Sequence, residues 1–232
     1  MKYVIANWKM NMDSKDLADW VGPFSRYYKK IKKDWKKKKI SEERWPKIIL
    51  CPSLIFVPAM REISQKMGVE IGVQDISPFE RGPHTGETGA FQIKSFCKYA
   101  IIGHSERQEP IELVARKRDV CLKENITPII CFINPADLTK LYKEGCVMAW
   151  EDPQNISTNG VYRAEDPAKI SAITNEIRKM IPPEAALIYG GSVNEKNASS
   201  ISKINGLNGV LVGNASLDSE IFAAIIRYYV QD

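Results

Sequence analysis

Histidine is scarce in this chain: of 232 residues only His84 and His104 could supply an imidazole. Cysteine is present but unpatterned, since Cys51, Cys97, Cys121, Cys131 and Cys146 are odd in number and form no Cys-x-x-Cys pair. A metal centre and a disulfide framework are both disfavoured by that spacing. No apolar run approaches the length of about 20 residues that a bilayer-spanning helix needs, and Met1-Lys2-Tyr3-Val4-Ile5-Ala6 is too short for a secretory apolar region. A reduced, cytoplasmic protein is therefore expected. Charge of one sign is also lacking: 33 basic against 28 acidic side chains leave +5, much of it in the run from Lys29 to Lys39. That run reads as a solvated helix end and loop, so neither nucleic acid nor membrane is expected as a partner.

Short apolar runs are abundant. Tyr3-Val4-Ile5-Ala6, Ile48-Ile49-Leu50-Cys51, Val69 to Val73, Tyr99-Ala100-Ile101-Ile102, Thr127 to Phe132, Cys146 to Trp150, Ala186 to Tyr189 and Gly209 to Val212 read as buried strands. Between several of them apolar residues return at helical spacing. The first such stretch runs from Ser14, placed to cap, to about Ile31, and others lie after Pro52-Ser53, from Glu109 to Glu124, from Pro167 to Met180 and from Asp218 to Val230. After the fifth strand only a short helical piece, Pro135 to about Glu144, fits. After the third comes a Gly-, Pro- and Thr-rich loop up to Gly89, long enough to suggest a functional role.

Eight strands alternating with helical segments predict a parallel sheet, and over this length a single (β/α)8 barrel domain across residues 1–232. A doubly wound open sheet is the competitor. It normally carries Gly-x-Gly-x-x-Gly after its first strand, where this chain has Asn7-Trp8-Lys9-Met10-Asn11.

In a barrel the C-terminal ends of the strands share one face. Collected there are Asn7 and Lys9 after the first strand, His104 and Glu106 after the fourth, Glu151 after the sixth, Gly190-Gly191-Ser192 after the seventh and Gly213-Asn214 after the eighth. Each has an ordinary alternative: a solvated loop lysine, a structural histidine, a helix cap, a tight turn. Together they amount to a base, an electrophile, a cation and a cradle of backbone N–H groups, with a helix N-terminus expected behind each glycine turn. A phosphorylated small molecule is implied.

Taken jointly, Asn7-Trp8-Lys9-Met10-Asn11, Thr85-Gly86-Glu87, Ile102-Gly103-His104-Ser105-Glu106-Arg107, Glu151, Tyr189-Gly190-Gly191-Ser192-Val193 and the run from Gly209 to Leu217 resemble the triosephosphate isomerase family. The resemblance implies interconversion of dihydroxyacetone phosphate and D-glyceraldehyde 3-phosphate, in glycolysis and gluconeogenesis, without cofactor or metal. It implies Glu151 as base, a neutral His104 as electrophile, and Lys9 with Asn7 holding the developing charge; this pairing of glutamate and neutral histidine is the family's documented pattern. Glu106 is then a supporting residue rather than the base. Ser157, Gly190, Gly191, Ser192, Gly213 and Asn214 would surround the phosphate.

Two departures stand out against that resemblance. After Glu151 the chain reads Asp152-Pro153-Gln154-Asn155-Ile156-Ser157-Thr158-Asn159, so Ser157 stands where the family usually has glycine, as does Asn214 after the eighth strand. Only 19 residues separate Cys131 from Glu151, a short form that resembles archaeal members and raises a tetramer beside the homodimer expected from the loop holding Thr85-Gly86-Glu87. His84 in that loop is expected at an interface or the surface. The rival functions are isomerisation or aldol cleavage of another sugar phosphate, and a barrel that binds phosphorylated ligands without turnover.

Overall fold

In a computed structural model, which describes residues 1–152 and 166–231, every apolar run read as a strand is one. The strands are β1 (Tyr3–Asn7), β2 (Lys47–Cys51), β3 (Glu70–Val73), β4 (Tyr99–Ile102), β5 (Thr127–Phe132), β6 (Val147–Trp150), β7 (Ala186–Tyr189) and β8 (Gly209–Val212). All neighbours pair in parallel and the order β1 to β8 closes on itself, β1 pairing with both β2 and β8. Every C-terminal strand end therefore lies on one rim.

Strand periodicity sorts the core into two shells. Ile5, Ile49, Cys51, Ile101, Ile129, Cys131, Ala149, Ile188 and Leu211 fill the barrel lumen. The residues alternating with them, among them Val4, Leu50, Ile102, Ile130, Met148, Leu187 and Val212, meet the surrounding helices. Because both faces of each strand are covered, the strands read as continuous apolar runs.

The helical layer comprises α1 (Ser14–Lys37), α2 (Val57–Met67), α3 (Ala90–Ile93), α4 (Ile111–Lys123), α5 (Leu138–Leu141), α6 (Pro167–Arg178), α7 (Ala198–Ser202) and α8 (Ser219–Ile226). The fifth unit is indeed short: a 3-10 turn at Pro135–Asp137 and the single turn of α5 are all that separate β5 from β6. Two details of α1 differ from the sequence reading. Its N-cap is Asp13 rather than Ser14: the Asp13 carboxylate accepts the Asp16 N–H while the Asp13 N–H donates to the Asp16 carboxylate, and the helix runs on to Lys37 rather than stopping near Ile31. An aromatic ladder explains the extra length. Trp8, Trp20, Phe24, Tyr28, Trp35 and Trp45 follow one another at centroid distances of 4.8, 4.5, 5.7, 6.5 and 5.2 Å along the helix's inner face, so Trp35, itself buried, has an aromatic partner well past Ile31.

Closure of the barrel depends on Gly209. Its φ is +149° and a Cβ there would overlap the Tyr3 carbonyl oxygen, so β8 approaches β1 only with glycine at this position. Gly209→Ala is expected to cost about 3 kcal/mol of unfolding free energy in urea titrations, from backbone strain together with the overlap.

Candidate active site

Lys9 leaves β1 in a left-handed conformation, φ +51°, which a lysine adopts only when its surroundings compel it. Three contacts do so. The Lys9 backbone N–H donates to Asn7 Oδ1 at 3.0 Å, and its carbonyl accepts from Gln74 Nε2 at 2.8 Å and Ser53 Oγ at 3.2 Å. Gln74 also donates to the Cys51 carbonyl at 2.9 Å, tying the ends of three strands together. Gln74 and Ser53 are site residues that the sequence reading missed. An isolated glutamine after β3 carries no signal until the fold brings it under Lys9. The Lys9 ammonium lies 2.5 Å from Glu106 Oε1.

His104 is buried at the end of β4 and caps the 3-10 turn Ser105–Arg107. Its Nδ1 accepts the Glu106 backbone N–H at 3.2 Å, so Nδ1 bears no proton and the neutral ring carries its hydrogen on Nε2. Nε2 in turn stands 3.2 Å from Glu151 Oε1. The turn at the ring spans only three residues, and α4 begins four residues later, so the local N–H of Glu106 fixes the tautomer rather than a long helix pointing at it.

Glu151 follows β6 and is 1% exposed. Its Oε2 accepts the Ser105 backbone N–H at 3.0 Å, whereas Oε1, despite its closeness to His104, has no aligned hydrogen bond. A buried carboxylate with one oxygen unsatisfied is costly, and such groups occur where chemistry needs them. The Cys131 thiol lies beside it. Burial and then the Glu151 charge push that thiol well above its ordinary range, so it stays protonated and can donate to the carboxylate. Read from sequence as a small buried hydrophobe, Cys131 is buried as expected but also touches the site.

The glycine turns differ from expectation. The Gly190 N–H donates to the Trp150 carbonyl at 2.8 Å and so belongs to the sheet. A Cβ there would crowd the site, standing 3.0 Å from Glu151 Cγ and 3.3 Å from the Trp150 carbonyl oxygen. At Gly191 a Cβ would overlap the Tyr189 hydroxyl. The helix N-terminus expected behind this turn is absent: α7 starts only at Ala198, and Asn194 and Asn197 bond each other's backbone N–H groups in between. After β8 the chain enters a 3-10 turn, Asn214–Ser216, directly behind Gly213. Asn7, Lys9, His104, Gly190, Gly191, Ser192, Gly213 and Asn214 line one small chamber of about 30 Å³. Asn7, Lys9 and His104 also border an open groove of about 810 Å³ running over the loops after β2 and β3. Ser157 lies outside the described residues.

Beyond Lys9 an ionic cluster anchors the loop after β3. Lys117, 3% exposed, reaches Asp75 and Glu109 at 2.6 Å each, and Arg107 reaches both carboxylates as well. Burial pushes the Glu109 carboxyl up, but the hydrogen bonds and charges of Lys117 and Arg107 outweigh it and leave the group below its ordinary range.

A buried carboxylate facing the protonated nitrogen of a neutral imidazole, with an ammonium near by on the catalytic rim of a parallel barrel, defines a proton-transferring enzyme of the (β/α)8 class. Residues 2–229 match the triosephosphate isomerase family, and the chain belongs to it. Members of this family interconvert dihydroxyacetone phosphate and D-glyceraldehyde 3-phosphate, the isomerisation step of glycolysis, and that is the reaction of this chain. Triosephosphate isomerase of Aquifex aeolicus is 30% identical over 254 aligned positions, covering 97% of this chain and 98% of the relative. That of Thermus thermophilus is 28% identical, covering 97% of each. The crystal structure of triosephosphate isomerase from Bartonella henselae superposes with a TM-score of 0.80 over 98% of both chains at 21% identity, a likeness of fold.

Gln74→Leu keeps volume but removes the donor to Lys9 and Cys51. It is expected to lower kcat/KM for D-glyceraldehyde 3-phosphate by about tenfold or more through misplacement of the ammonium, with little loss of secondary structure by circular dichroism.

Proposed function

We propose that Glu151 is the base of this isomerisation, taking the proton from the substrate carbon beside the carbonyl. Neutral His104 polarises the carbonyl through Nε2–H and passes protons between the two oxygens, and Lys9 with Asn7 stabilises the enediolate. The observation that carries this reading is the pairing of Glu151 Oε1 with His104 Nε2 at 3.2 Å in a buried site, each group oriented by a backbone N–H of the same turn. Stabilisation of the developing oxyanion by such donors is typically worth about 3 to 4 kcal/mol each. The isomerisation moves protons within one molecule and is redox-neutral overall, so it calls for no hydride carrier.

The phosphate is assigned to the N–H groups of Gly191, Ser192, Gly213 and Asn214, with Ser157 as a further contact and Gly190 giving the carboxylate room. A chamber of about 30 Å³ holds roughly one water, so a triose phosphate enters from the groove and draws the Lys9 ammonium away from Glu106. A Cβ at Gly213 would stand only 3.5 Å from Lys9 Cε, so the cation and the β8 turn flank the same space.

Glu151→Gln is expected to lower kcat by about 10³- to 10⁴-fold in a coupled assay while the affinity for inorganic phosphate stays within a factor of three. Unchanged turnover would mean that another group is the base.

The same groove supports a homodimer. Met10, Leu54, Ile55 and Phe79 are exposed apolar side chains on the loops after β1, β2 and β3, and His84 stacks on Phe79 at 4.2 Å. Apolar surface gathered beside a catalytic lysine suits a second copy of the chain. The short fifth unit, by its likeness to archaeal members, makes a tetramer the alternative. Sedimentation equilibrium is expected to give at least twice the 26.2 kDa chain mass, and a fully active monomer would refute the assembly. The chain is proposed to work as one barrel domain in a reducing, cytoplasmic setting, a reading supported by its five free, buried cysteines. No helix among the described residues is long and apolar enough to cross a membrane.

A further inference from the structure

The chain's positive charge is concentrated in one segment. Residues 26–44 hold ten basic and three acidic side chains, which leaves 23 against 25 for the remainder. From sequence this segment reads as a helix end running into a loop, but its cations up to Lys37 belong to α1. At about 100° per residue, the buried side chains Leu17, Trp20, Phe24, Tyr28, Ile31 and Trp35 occupy one side of that helix. Arg26, Lys29, Lys30, Lys33 and Lys37 fall within about 100° of arc on the opposite side and are exposed. The two faces are set by the same periodicity, so the aromatic ladder holds the basic row outward.

These five cations form a row about 16 Å long, with neighbours at i, i+3 and i+4 about 5 to 6 Å apart. Among the described residues none of the five is ion-paired; Lys36 instead pairs with Glu42, and Lys32 bonds the Met67 carbonyl. The large groove of about 770 Å³ near this end of the barrel is different. Its Lys94 and Lys98 already hold Glu124 and Glu70, so its charge is spent internally. Five unpaired like charges on one rigid face repel one another, and a polyanion relieves that repulsion.

We propose that the outer face of α1 is a docking surface for the phosphodiester backbone of nucleic acid, read without regard to base sequence. The row is linear and one helix wide, which fits a linear polyanion better than a planar lipid surface, and no large apolar side chain is exposed in the segment to enter a bilayer. The face lies on the outside of the barrel, and α1 runs from the catalytic rim back to the start of β2, so its basic half is remote from Lys9, His104 and Glu151. Docking would therefore tether the enzyme without blocking turnover.

The test is fluorescence anisotropy of the full-length protein with a labelled mixed-sequence RNA of about 25 nucleotides, titrated from 50 to 200 mM salt. Neutralising five phosphates of a single strand predicts a slope of log K against log salt of about −3.5, a fall of about 100-fold over that range. The variant Lys29→Glu/Lys33→Glu/Lys37→Glu is expected to lose binding at least 100-fold and to keep kcat/KM and the circular dichroism spectrum. Lys94→Glu/Lys140→Glu/Lys143→Glu, which changes the net charge equally on other faces, should still bind within about tenfold. Absence of RNA binding at 50 mM salt, or equal loss in both variants, overturns the proposal. So does tighter binding to phosphatidylserine vesicles than to RNA, which would assign the face to a membrane instead.

Discussion

The closure of β8 onto β1 is the constraint from which the site follows. Each strand is too short to carry a binding surface alone, and its apolar side chains on both faces demand cover from lumen and helices alike. Parallel pairing sends every C-terminal end to the same rim, so the polar residues that must follow each strand are gathered there without any further device. Gly209 makes this possible by letting two backbones meet where a Cβ would not fit. The cost of glycine's extra chain entropy is set against a closed ladder with no unpaired edge.

Within that rim the reactive groups are held by the backbone more than by one another. The turn after β4 supplies the Ser105 N–H to Glu151 and the Glu106 N–H to His104, so one short 3-10 turn orients both the carboxylate and the imidazole. Lys9 is likewise positioned through its main chain, by Asn7, Ser53 and Gln74. Held this way, the Lys9 ammonium lies against Glu106, while Glu151 Oε1 faces His104 Nε2 without an aligned hydrogen bond. Support through the main chain is the kind of rigidity that preorganised electrostatic stabilisation requires.

The helix α1 illustrates how one periodic pattern serves two purposes. Its inner aromatic ladder couples Trp8, next to Lys9, to Trp45 just before β2, and so staples the first unit along its whole height. Its outer face has no packing duty and carries the charge that the rest of the chain lacks. Because the two faces diverge by half a turn, substitution on the outer one leaves the core untouched.

The strands, most of the helices and the barrel were legible in the chain itself, and Lys9, His104 and Glu151 stood out there as candidates, because apolar runs and the residues that end them are local signals. β5, β7 and β8 fall on the residues read from the pattern, and the short fifth unit was visible as a count of residues. What those residues touch emerges only in the closed fold. Gln74 and Ser53 acquire a role because the loops after β2 and β3 pass under Lys9, and Cys131 because β5 lies beside β6. Gly190, expected to bind phosphate through its N–H, spends that donor on Trp150 and leaves room beside Glu151. The helix α1 outlasts its apparent end because buried Trp35 packs on half-buried Trp45, ten residues further on. Each of these depends on contacts between segments distant or separately folded in the chain, and no local pattern of residue types encodes them.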